Sequence, residues 1–65
     1  ISYKPLWKLL IDKGLSKTEF RLMAGLSSAT LAKLGKGEYV SMDVLERICL
    51  ALDCQPSDIM EVSKN

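Results

Sequence analysis

Three times in this chain a large apolar residue precedes a serine, and another large apolar residue follows four positions after that serine. Leu15-Ser16 leads to Phe20, Leu26-Ser27 to Leu31, and Val40-Ser41 to Leu45. Serine is a preferred helix N-cap, because its hydroxyl accepts a backbone N–H that the first helical turn leaves unpaired. The flanking apolar pair is a hydrophobic staple, which fixes the angle at which the chain enters the helix. Glu19, three residues after Ser16, completes a capping box. Glycines supply the opposite ends: Gly14, Gly25 and the pair Gly35 and Gly37 stand where left-handed caps would stop each helix. A chain started and stopped this often can only build short helices.

The expected elements follow. A first helix runs from about Pro5 to Lys13, with proline at a first-turn position and Leu6, Trp7, Leu10 and Ile11 on one apolar face. A second spans Lys17 to Ala24, and a third about Ser28 to Gly35. The fourth opens after Ser41, with Asp43 complementing its positive end and Leu45, Ile48, Cys49 and Leu52 forming an amphipathic stripe. A last short helix starts at Pro56 and carries Ile59, Met60 and Val62. No convincing strand is present, and Ile1-Ser2-Tyr3 reads as a frayed terminus in preference to a paired arm. The fold class is therefore all-α, a compact five-helix domain occupying residues 1–65.

Composition narrows the function. With 48% hydrophobic and 26% charged residues, the chain is not disordered. No apolar run approaches the ~20 residues of a membrane span, and no signal peptide opens the sequence. Two cysteines make no disulfide framework, so a reducing, cytoplasmic setting is expected. Cys49 and Cys54, five apart, read as separated small hydrophobes and not as a disulfide. The sequence has no histidine, which removes the commonest proton shuttle near neutral pH and any Cys/His metal cluster. No nucleophile with a neighbouring base is legible, and no cofactor or metal is implied. An enzyme is not expected; a binding domain is.

The net charge of +1 hides an asymmetry. Residues 1–37 carry seven lysines and arginines against two acids, while residues 38–65 carry two against six. A basic half beside an acidic half suggests one face turned toward a polyanion, although a solvated surface gives the same count.

The interval from Lys17 to Lys36 has the outline of a helix-turn-helix. Phe20 and Ala24 face inward on the first helix, Leu26 plugs the turn, and Leu31 and Leu34 line the second. Gly25 meets the need of a tight turn for a residue at positive φ. No acid occurs from Arg21 to Lys36. A slim, acid-free helix start lets backbone dipoles and short hydroxyls approach phosphates and base edges.

The segment LSKTEFRLMAGLSSATLAKLGKGEYVSMDVLERICLALDC resembles the five-helix DNA-binding domain of the lambda repressor and Cro family over residues 5–62. Gly25, the apolar residues 20, 24, 26, 31 and 34, and the LERICLALDC helix fall where that family has them. The resemblance implies a lambda-repressor-like fold and a transcriptional regulator of double-stranded DNA. It also implies frequent homodimers, here expected through the last two helices with Ile59, Met60 and Val62. The second motif helix, Ser28–Gly35, would lie in the major groove. Lys33 would contact guanine or phosphate, Ser28 and Ala29 would meet base edges, and Lys17 and Ser27 would anchor phosphates. Lys36, Tyr39 and Ser41 would hold the sugar-phosphate chain. Each of these is equally compatible with plain exposed surface, and Ser16 and Ser27 are helix caps on either reading. Trp7, Phe20 and Met23 read as core or interface.

Four departures qualify the resemblance. Lys17 stands where glutamine is common, and Ser28 and Ala29 stand where glutamine or arginine often reads bases. Arg21 stands in place of alanine at the helix crossing, where it must snorkel outward or open the crossing. Gly35 replaces a frequent glutamate. The rival reading is a protein-interaction module on a helix-turn-helix scaffold, binding a toxin or a co-regulator, with weak DNA contacts.

Overall fold

The serine caps form as the sequence dictates. In a computed structural model that describes residues 1–62, Ser16 Oγ accepts the Glu19 N–H at 3.1 Å, and the Glu19 carboxylate accepts the Ser16 N–H at 3.1 Å. Ser27 and Ser41 cap in the same way, accepting the N–H groups of Thr30 (3.1 Å) and Val44 (3.2 Å). The helices they start are α2 (Lys17–Ala24), α3 (Ser28–Lys36) and α4 (Met42–Leu52), preceded by α1 (Lys4–Lys13). No helix among these residues is long and apolar enough to cross a membrane.

The fifth helix is a single 3₁₀ turn, Pro56–Asp58. The Asp58 carboxylate accepts the Gln55 N–H at 2.9 Å and closes that turn. Beyond it Glu61 pairs with Ser2 through two backbone hydrogen bonds of 2.9 Å, an antiparallel bridge that draws the chain out of helical geometry. The same bridge corrects the expectation of a frayed start. Tyr3 is buried at the base of this arm, and its phenol donates to the Glu38 carbonyl at 3.0 Å. Lys64, counted above among the charges, lies outside the described residues.

Each element sends a side chain into one core. Leu6, Phe20, Leu34, Ile48 and Ile59 are fully buried, one from each of the four helices and one from just after the 3₁₀ turn. α2 packs across α4, and the 3₁₀ turn packs against α1. Ile11 does not join this core and is 77% exposed. Leu6 and Leu10 fix the phase of α1 at i, i+4, and Ile11 falls about 100° beyond Leu10 on a stripe too narrow to include it. Met23 is likewise exposed, while Trp7 is half-buried.

α3 runs through Gly35 and stops at Gly37, whose φ of +73° gives the left-handed cap. A Cβ at Gly37 would lie 3.4 Å from the Ile1 carbonyl oxygen, so the N-terminal arm closes directly over the end of α3. α4 ends differently, on Asp53 at a φ of +52°. That left-handed residue folds the chain back, and the Cys54 N–H bonds the Cys49 carbonyl at 3.0 Å. The arrangement is a Schellman-type cap, which brings the side chain after the turn against the last helical turn. The two thiols, free and half-buried, therefore sit side by side, contrary to the separation expected from counting along a helix.

Burial, and then the neighbouring Cys49 thiol, pushes the Cys54 pKa up to about 11. A thiol raised on folding from 9.0 contributes stability that is full below that value and lost as pH rises through about 11. At neutral pH it is almost wholly protonated and a poor nucleophile. Mass-resolved alkylation at neutral pH should therefore modify Cys54 far more slowly in the folded chain than in urea. Equal rates would contradict this environment.

Candidate nucleic-acid interface

The α2–turn–α3 unit is held from three sides. Gly25, at a φ of +66°, ends α2 and turns the chain, and Leu26 behind it is buried. Two arginines then fix the turn's carbonyls. Arg21 donates to the Leu26 oxygen at 3.3 Å, and Arg47, reaching from α4, to the Gly25 oxygen at 3.5 Å. Arg47 is itself steadied by Asp43, one turn earlier, at 3.0 Å. Arg21 thus does not point free into solvent: it serves as a strap between α2 and the turn.

On α3 the exposed residues are Ser28, Ala29, Ala32, Lys33, Gly35 and Lys36. Ser28, Ala29, Ala32, Lys33 and Lys36 recur at the i, i+1, i+4, i+5, i+8 spacing of one helix face. That face is narrow and uncharged at its start and basic toward its end. The first turn of α3 holds no acid, so nothing local neutralises the positive end of its dipole. Ser27 Oγ accepts the Thr30 N–H and donates its own proton to Thr30 Oγ1 at 3.0 Å, which ties down both hydroxyls. A Cβ at Gly35 would meet nothing within 4 Å, so glycine there is not demanded by packing; it thins the outward surface.

The remaining expected residues lie around this face. Lys17, the first residue of α2, holds its ammonium 4.6 Å from the centroid of the Trp7 ring, a cation–π contact linking α1 to α2. Lys36 ends α3, and Tyr39 follows in the connection to α4, 78% exposed. The connection is anchored by the Tyr3 phenol on Glu38 and by the Glu38 N–H on the Lys33 carbonyl at 2.9 Å. Burial, with Tyr39 as the lesser cause, raises the Tyr3 pKa and keeps that phenol a donor.

Sequence reasoning missed Ala32, Tyr3 and Arg47. Ala32 was recoverable, since it stands four residues after Ser28 on the same face. Tyr3 and Arg47 act through backbone carbonyls 35 and 22 residues away in sequence, and no local pattern signals them. Among the described residues no group of three or more Cys, Asp or Glu side chains is placed to hold a metal ion.

Comparisons with known proteins converge on this arrangement. The family model of the Cro/C1-type HTH DNA-binding domain matches residues 5–65. An uncharacterized HTH-type transcriptional regulator of Bacillus subtilis (strain 168), YozG, is 40% identical over 55 residues, or 82% of this chain. The aligned region spans 66% of the length of that Bacillus protein. The crystal structure of the transcriptional regulator VanUg superposes with a TM-score of 0.90 at 53% identity, covering 92% of this chain and 80% of that one.

Proposed function

Residues 5–65 place the chain in the Cro/C1-type helix-turn-helix DNA-binding family, and from that membership we propose that it is a transcriptional regulator that sets α3 in the major groove of double-stranded DNA. The observation that carries this reading is the acid-free exposed face of α3, small at Ser28, Ala29 and Ala32 and basic at Lys33 and Lys36. A major groove about 12 Å wide admits a helix whose leading side chains are short. Ser28 and Ala29 meet base edges, Lys33 contacts guanine or phosphate, and the backbone is held by Lys17, Lys36 and Tyr39 through their side chains and by Ser27 through its main-chain N–H. Residues 1–65 act as one unit in the cytoplasm, and regulation follows from occupancy of the site.

Fluorescence anisotropy on a randomised duplex pool at about 50 and 200 mM salt tests the reading. Affinity should fall steeply with salt, and Lys33→Ala with Lys36→Ala should reduce the salt slope by about 2. Undetectable binding at the lower salt would exclude DNA binding as an intrinsic property and favour the interaction-module reading.

Two copies pair on half-sites one helical turn apart, roughly 34 Å. Ile59 lies wholly in the core and has no part in the contact, which leaves Met60 and the exposed Val62 from the expected set. Sedimentation at tens of micromolar should report the mass of two chains. A mass of one chain, unchanged by Val62→Lys, would remove the dimer.

A further inference from the structure

α4 presents a second outward surface that the DNA reading does not use. Met42, Glu46 and Leu50 recur every fourth residue along it, and Met42 and Leu50 are 76% and 77% exposed. The chain that folds back after Asp53 adds Cys54, Gln55 and Pro56 as an opposite wall, leaving an open groove of about 560 Å³. Three carboxylates line it, Asp43, Glu46 and Asp53, with no lysine or arginine among the lining residues. Arg47 occupies Asp43, but Glu46 and Asp53 have no cationic partner among the described residues. Asp53 also breaks two local preferences at once. It takes a left-handed backbone where glycine is favoured, and it puts a negative charge at the negative end of a helix.

We propose that this groove docks a basic, amphipathic segment of another protein, one that offers large aliphatic side chains to Met42 and Leu50 and flanking lysines or arginines to Glu46 and Asp53. Charge complementarity selects this occupant over a second copy of the chain. A symmetric pairing through the groove would set one acidic lining, without lysine or arginine, against another, because a two-fold interface brings the same patch to both sides. An eleven-residue helix is about 16 Å long, which matches two to three turns of a docked helix. No residue of the groove belongs to the proposed DNA set of Lys17, Ser27, Ser28, Ala29, Lys33, Lys36 and Tyr39. Both ligands can therefore be held at once, as a regulator that contacts a second protein on DNA requires. The proposal does not depend on the DNA reading.

The test uses two synthetic helical peptides of about three to four turns, one with leucines at i, i+3, i+4, i+7 flanked by lysines and one of the same composition with the leucines scrambled. Amide shift mapping on the isotope-labelled chain should place the patterned peptide on Met42, Glu46, Leu50 and Asp53. Leu50→Ser and Glu46→Lys should each weaken it at least about tenfold, or 1.4 kcal/mol. Leu50→Ser, being exposed, should keep the wild-type unfolding midpoint and DNA affinity. Equal binding of the scrambled peptide, shifts mapping elsewhere, or no binding at all would overturn the assignment. Shifts at the same residues on concentrating the chain alone would overturn it too, by identifying the occupant as a second copy.

Discussion

Phe20→Ala should lower the urea concentration at which this chain unfolds by about 30% or more. The ring is fully buried where α2 crosses α4, and truncating such a residue removes about 3–5 kcal/mol through lost transfer energy and the cavity left behind. Native stability near 0.05–0.15 kcal/mol per residue gives a chain of this size only about 3–10 kcal/mol in total. Trp7, the single tryptophan, is half-buried beside the Lys17 ammonium and provides the fluorescence signal for the titration. Leu22→Ala, two positions along the same helix but 65% exposed, is the matched control and should change stability by less than about 0.5 kcal/mol. At a urea concentration that unfolds the first variant but not the wild type, DNA affinity should be lost in that variant and survive in the second. If Phe20→Ala costs less than about 1 kcal/mol, the helix-turn-helix is not keyed to the core through α2.

The caps that start α2, α3 and α4 were legible because each is a contract among residues three or four apart, and nothing distant overrides it. The phase of α1 was not. Leu6, Trp7, Leu10 and Ile11 span a stripe wider than the contact surface available, and only packing decides that Ile11 stays out. Gly35 and Gly37 both offered a stop; the later one serves, with the N-terminal arm closed over it. The arm itself looked free because its anchors, the Tyr3 phenol on Glu38 and the pairing of Ser2 with Glu61, lie in mid-chain and near the far end of the sequence. The cysteines are free as expected, but their separation was misjudged for a related reason. Counting positions assumes a continuous helix, and Asp53 ends it, folding Cys54 onto Cys49. At the candidate interface, the outward residues of α3 were readable by period. The arginine straps that orient that helix were not, since Arg47 reaches the turn from another element altogether.

Ala29→Glu separates the fold from the function most sharply. Ala29 is exposed in the first turn of α3, where no acid stands in the native sequence. Glutamate is nearly as good a helix former as alanine, and a carboxylate near a helix N-terminus is favourable by about 0.3–1 kcal/mol. The urea midpoint should therefore hold or rise slightly. DNA affinity should move the other way, because on the proposed docking the carboxylate would enter the groove at the helix tip, beside the phosphates assigned to Ser27 and Lys17. A loss of at least about 100-fold on a mixed-sequence duplex, or about 2.7 kcal/mol, is expected by anisotropy. Ala29→Gln adds the same length without the charge and should lose less than about tenfold, since an amide can pair with base edges. Equal losses for the two would mean that bulk, and not charge, limits this position. Unchanged affinity for both would remove the N-terminal end of α3 from the DNA. Whatever binding remained would then have to come from Lys33, Lys36 and Tyr39 gripping the backbone alone.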